Sequence, residues 1–203
     1  MTQINTKARN RARLAFIGLL LLFLVPIVAA IVMHSIGGGV GTSSTVNRGE
    51  LVKPVVPVGE HVLLTEQGEA LPADYFVGKW TMVYMDSGQC NEACQANLYT
   101  IRQSRLALGG EKERVQRLMV LTDGKVSAGL KELLIEHAGM DVVSAQSLTT
   151  FRQVFSKDGT GDTTGHIYIV DPLGNLMMRY PLNMEPKGLI KDMERLLKYS
   201  RIG

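Results

Sequence analysis

Cys90 and Cys94 are four residues apart in the segment SGQCNEACQAN, and they are the chain's only cysteines. The residues before them read as a strand and those after as a helix, which places the pair at a strand-to-helix corner. A thiol at a helix N-terminus feels the positive end of the dipole and the unpaired backbone N–H groups, and both favour the thiolate. Four-residue spacing brings the two sulfurs to one helix face. Such a pair can close a disulfide, hold one soft metal ion, or alternate between the two states. Copper(I) suits two thiolates with a third soft or imidazole ligand. Zinc needs four ligands, and no convincing further pair lies nearby in sequence. A purely structural bridge is the plain alternative in an exported domain. A bridge closing so short a loop restrains the unfolded chain little, however, and makes a poor staple.

Other chemistry-bearing residues give weaker signals. His34 follows an apolar run, His61 falls in an early hairpin, and His137 closes a helix; all three read as structural or surface residues. Asp86, four residues before Cys90, disfavours a thiolate if the two are close. Asp158 and Asp162 with their intervening glycines resemble a calcium loop but lack the following Glu.

The elements that must position the cysteines follow from periodicity. Residues 79–85 (KWTMVYM) form an apolar, β-rich run that reads as a buried strand, and residues 92–108 read as a helix stopped by Gly109-Gly110. A second central strand is expected over 115–121, followed by helices over 127–137 and 147–156. The turn DPLGN at 171–175 joins strands 166–170 and 176–180 into a hairpin. A last amphipathic helix covers 186–199, with Pro186 in its first turn. Residues 61–65 and the chain around Gly68 suggest a further short hairpin. Strands alternating with helices and ending in a hairpin predict an α/β fold, a mixed sheet with helices on both faces.

Charge separates the chain into parts. Of 22 basic residues, five (Lys7, Arg9, Arg11, Arg13 and Arg48) precede Glu50, whereas every acidic residue lies at or beyond it. The remainder carries 17 basic against 19 acidic residues, so the basic pI of 8.9 belongs to the N-terminal end. With 6% aromatics and no clustered basic face, nothing points to a nucleic acid. Residues 14–33 (LAFIGLLLLFLVPIVAAIVM) carry no charge, enough for a helix of roughly 30 Å, the thickness of a bilayer core. No face of this segment is polar, which argues against a core helix of a soluble domain. A cleaved signal peptide is the rival, since Val28-Ala29-Ala30 is a small-residue site. The run continues through Met33, though, and no cysteine near its end provides for lipidation. The expected order is a cytoplasmic basic stub (1–13), a transmembrane helix (14–33) with its N-terminus inside, a flexible stalk and extended linker (34–59), and one domain (60–203) outside the cytoplasm.

The segment GKWTMVYMDSGQCNEACQANLYTIRQ resembles the core of the Sco/SenC family, membrane-anchored thioredoxin-fold proteins of cytochrome c oxidase assembly. The likeness continues through VLTDG after the next strand, IYIVDPLGN at the hairpin and the C-terminal helix, over roughly residues 60–200. It implies a thioredoxin-like mixed sheet flanked by helices. It also implies that Cys90 and Cys94 are copper ligands or redox thiols, and that the client is an oxidase subunit or another redox protein. The implied site is the outer (periplasmic) face of the inner membrane. Two positions depart from the family pattern. Gln95 stands where the family has Pro after the second cysteine, and Thr163 stands where counting places its third ligand, a His. His166, three residues on, is the nearest candidate for that ligand. Thiol–disulfide oxidoreductase activity on general substrates, and a tethered, non-catalytic interaction domain with one bridge, are the competing readings.

Overall fold

The computed structural model describes residues 6–36, 47–156, 161–182 and 184–202. The chain divides into two units, Met1–Val46 and Asn47–Gly203. Residues 37–46 of the expected stalk and linker, and Asp158, lie outside the described residues.

In the first unit, helix α1 (Thr6–Ile36) continues through Pro26. Over Arg13–Val32 it is long and apolar enough to cross a membrane, with a mean hydropathy of 3.0 and none of that stretch buried against protein. Leu and Phe side chains such as Phe16, Leu22 and Phe23 are exposed around its whole circumference. An all-round apolar surface with no protein to cover it is the signature of a helix meant for lipid.

The second unit is built on a seven-stranded sheet of order β1-β7-β6-β3-β4-β5-β2. The strands are β1 (Glu50–Pro57), β2 (Leu63–Thr65), β3 (Trp80–Asp86), β4 (Val115–Leu121), β5 (Met140–Ala145), β6 (Ile167–Val170) and β7 (Asn175–Tyr180). β3, β4 and β5 run parallel; β6, β7, β1 and β2 are antiparallel to their neighbours. Trp80 to Met85 are all buried, as a central strand covered on both faces requires. Side chains alternate along it: Trp80, Met82 and Tyr84 join one core cluster, Val83 and Met85 the other.

Helices α2 (Glu92–Ala107), α3 (Ala128–Ile135) and α5 (Pro186–Tyr199) cover the first face through Cys94, Leu98, Ile101, Leu130, Leu189, Met193 and Leu197. Helix α4 (Leu148–Phe155) covers the second with Phe151 and Phe155, whose rings meet 4.9 Å apart; Phe155 in turn meets Tyr168 edge-on. Each fully buried apolar side chain of this size contributes about 1.5–3 kcal/mol.

The mixed, helix-flanked sheet agrees with the α/β expectation, and α5 has the expected bounds. Two differences stand out. β5 interrupts what periodicity read as helix following helix, because the strand character of Met140–Ala145 comes from pairing with β4 and β2 rather than from its own alternation. Residues 47–59, read as extended chain, are extended and supply β1. It pairs with β7 as an edge strand whose register shifts between Leu51 and Val56, and an edge is where a strand tolerates Pro54.

Candidate functional site

The corner carrying the cysteines is fixed by backbone clamps. Where β3 ends, Ser87 N–H donates to Asp86 Oδ1 at 2.7 Å and Cys90 N–H closes a turn onto the Ser87 carbonyl at 3.2 Å. Gly88 N–H donates to Asp123 Oδ1 at 3.0 Å, and the Gly88 carbonyl accepts from Ser127 N–H at 3.1 Å. A Cβ on Gly88 would fall 1.5 Å from the Lys125 carbonyl oxygen, so only glycine fits. The loop after β3 is thus pinned to the loop after β4, and the TDG turn read from sequence is one half of that clamp.

Asn91 caps α2, its Oδ1 accepting the Cys94 N–H at 3.1 Å. Cys90 therefore sits just outside the helix and Cys94 in its first turn. The two are joined in a disulfide with Cα atoms 5.0 Å apart. Both are buried, Cys90 retaining 4% exposure and Cys94 none. Cys90 has φ of 42°, and it is the one non-glycine residue with positive φ among the described residues. A side chain in that region costs about 1–2 kcal/mol, and such strain gathers at functional sites.

Gln95 stabilises this turn where a proline could not. Its side-chain amide donates to the Cys90 carbonyl at 3.3 Å, and its backbone N–H donates to the Asn91 carbonyl at 2.9 Å. One turn past Cys94, Asn97 donates to the Gly165 carbonyl at 3.1 Å and to the Tyr84 hydroxyl at 3.4 Å. Tyr84 in turn donates to Asp86 Oδ2 at 2.5 Å, and burial together with this bond holds its phenol far above the ordinary range, hence neutral. Gly165 N–H donates to the Met85 carbonyl. Asp86, Tyr84, Asn97 and Gly165 form one polar chain running from β3 to the start of β6. Sequence reasoning missed Gln95, Asn97 and Tyr84 as site residues. Asn97 was findable, because it shares a helix face with Cys94 at three-residue spacing.

His166 is not brought to the cysteines. Ile167 and Ile169 belong to the core cluster that contains Cys90 and Cys94, whereas Tyr168 belongs to the other. Alternation along the strand sends His166 to the Tyr168 side, where the two rings lie 6.2 Å apart. Both ring nitrogens are engaged there: Nδ1 is 2.8 Å from the Tyr180 carbonyl, and Nε2 is 2.7 Å from an Arg179 nitrogen. This pattern assigns the proton to Nδ1 and commits the Nε2 lone pair to Arg179. Thr163 is fully buried and accepts from Arg152 at 2.8 Å.

The remaining candidates are structural. The His61 ring meets Phe151 edge-on. His137 is 4% exposed, and burial followed by Arg102 and Arg117 lowers its pKa. Asp162 caps its own turn through Thr164 N–H. Among the described residues no group of three or more His, Cys, Asp or Glu could hold a metal ion.

The fold is shared with several solved structures. Apo Sco1 of Thermus thermophilus matches with a TM-score of 0.60 at 20% identity, over 74% of this chain and 96% of that one. Yeast Sco1 with copper bound matches at 0.59 and 19%, over 73% and 96%. Bradyrhizobium japonicum ScoI with copper bound matches at 0.53 and 20%, over 69% and 98%. No curated protein sequence matches the chain. The family model for the transmembrane-like, thioredoxin-like C-terminal domain matches residues 80–200, from the strand that leads to Cys90 through the last helix. The chain belongs to that family, and its fold is the thioredoxin-like one that the Sco structures share.

Proposed function

We propose that this protein is a membrane-anchored thiol–disulfide exchange factor acting outside the cytoplasm on a client of cytochrome c oxidase assembly, and that it reduces client cysteines rather than delivering copper. The observation that carries this reading is the composition of the site: a disulfide at a helix N-terminus, its first cysteine in a strained backbone conformation, and, among the described residues, no His, Asp or Glu grouped with the two cysteines. Orientation follows from Lys7, Arg9, Arg11 and Arg13 at the start of α1, ahead of its apolar stretch, which favour the cytoplasmic side. The assembly role rests on the likeness to Sco structures.

In the reduced protein, Cys90 is the attacking thiolate because it is the less buried of the two. Its sulfur attacks one sulfur of a client disulfide, forming a mixed disulfide and releasing one client thiolate. Cys94 then attacks the Cys90 sulfur, closing the Cys90–Cys94 bridge and releasing the second client thiolate. Two electrons pass from the pair to the client, and an extracytoplasmic dithiol must return them. Copper(I) as cargo would need a third donor from the client itself, since His166 lies across the sheet with its nitrogens engaged.

The test is to express the full chain as Cys94→Ser, which cannot resolve a mixed disulfide. Membranes quenched with acid should yield a covalent adduct through Cys90 to one dominant client, lost on reduction and absent in Cys90→Ser. Many clients would indicate a general oxidoreductase. No adduct at all would point to a structural bridge and contradict the proposal.

A further inference from the structure

We infer that a basic pocket at the start of α5 binds the phosphodiester headgroups of anionic lipids, holding the disulfide end of the domain against the membrane. The pocket has a volume of about 300 Å³ and is lined by Arg48, Met184, Glu185, Lys187, Gly188 and Lys191. Three cations face one carboxylate, on a domain that is otherwise slightly acidic. The arrangement is built. Arg48 crosses the first turn of α5, where a Cβ on Gly188 would lie 3.0 Å from the Arg48 Cβ. The backbone behind it is latched by Asp192, a buried carboxylate that accepts N–H bonds from Arg48 at 2.8 Å and Gly49 at 2.9 Å and a hydroxyl from Tyr180 at 3.2 Å. Those three groups occupy the Asp192 oxygens and leave the Arg48 side chain to the pocket.

Topology supplies the second argument. Tyr84 pairs with Ile167, Ile167 with Tyr180, and Arg179 with Glu50. The end of β3 that leads to Cys90, the start of β6, the end of β7 and the start of β1 therefore share one end of the sheet. The chain arriving from α1 joins the domain at this end, and Arg48 is part of the pocket. An apolar prong stands alongside: Leu182, 54% exposed, with Pro181 exposed before it and Met184 in the pocket wall. Cations beside exposed apolar side chains match the headgroup region of an anionic bilayer, where each Lys or Arg strengthens association about fivefold. An acidic peptide would use the cations but not the prong.

This inference rests on α1 being an anchor, and the test separates the two. The full chain is placed in nanodiscs of phosphatidylcholine alone or with phosphatidylglycerol, and lysine acetylation is read by mass spectrometry. Lys187 and Lys191 should lose about fivefold in labelling when phosphatidylglycerol is present, while Lys112 and Lys198 stay unchanged. High salt should restore the labelling, and Lys187→Gln should weaken protection of Lys191. Equal labelling in both discs overturns the proposal. Equal protection by inorganic phosphate in phosphatidylcholine discs also overturns it, by making the pocket a free-anion site. Loss of labelling at all lysines alike would mean general adsorption, again against it. A chain that associates with neither disc contradicts the anchor reading, and the proposal falls with it.

Discussion

Reducing the Cys90–Cys94 bridge should leave the domain almost as stable as before. The bridge has a sequence separation of 4, and a loop that short removes only about 2 kcal/mol of unfolded-chain entropy at 25 °C. Against this stands the positive φ of Cys90, 42°, which costs a non-glycine residue about 1–2 kcal/mol and which the reduced turn is free to relax. The difference is about 0–1 kcal/mol, or a shift of no more than about 2–4 °C in Tm for a domain of this size. The assay is thermal unfolding of the full chain in detergent, followed by near-UV circular dichroism with and without a phosphine reductant. Thiol alkylation verifies reduction. Cys90→Ser should behave like the reduced protein. A loss of about 3 kcal/mol or more, or roughly 10 °C, would make the bridge a structural staple and refute the reasoning.

Three further outcomes follow from the same geometry. Gly88→Ala places a methyl 1.5 Å from the Lys125 carbonyl, so the clamp between the loops must open; a loss of about 2 kcal/mol or more in urea unfolding is expected, together with faster reduction of the bridge. His137 is buried beside Arg117 and its folded-state pKa is depressed, so the unfolded chain takes up a proton first as pH falls. Stability should be intact at pH 7.5 and decline below about pH 6.5, and His137→Gln should remove that slope. Asp192→Ala orphans the buried Gly49 N–H, the part-buried Arg48 N–H and the buried Tyr180 hydroxyl. It should cost about 3 kcal/mol, with hydrogen exchange at Arg48 and Gly49 rising ahead of the core.

Much of the fold could be read from the sequence because its central strands are apolar on both faces and its helices carry clear stripes. Residues 79–85 announced β3 by composition, and Leu189, Met193 and Leu197 announced α5 by spacing. β5 was hidden because an edge-proximal strand of mixed burial owes its conformation to its partners. The cysteine pair was visible from its corner position. The turn around it was not: Gln95 and Asn97 act through a carbonyl of Cys90 and a carbonyl of Gly165, and no pattern in sequence marks backbone oxygens as partners. The place of His166 turns on a single-residue parity in β6, which strand alternation fixes only once the strand's start is known.

The claim that the pair exchanges electrons with a client is tested most directly by its reduction potential. The full chain is equilibrated in detergent with graded dithiol buffers, and the free thiols of Cys90 and Cys94 are counted by alkylation and mass spectrometry. The account predicts a two-electron transition above about −300 mV, in the range of exchange-active dithiols. A midpoint below that value would identify a bridge that exchange partners cannot open, and would contradict it.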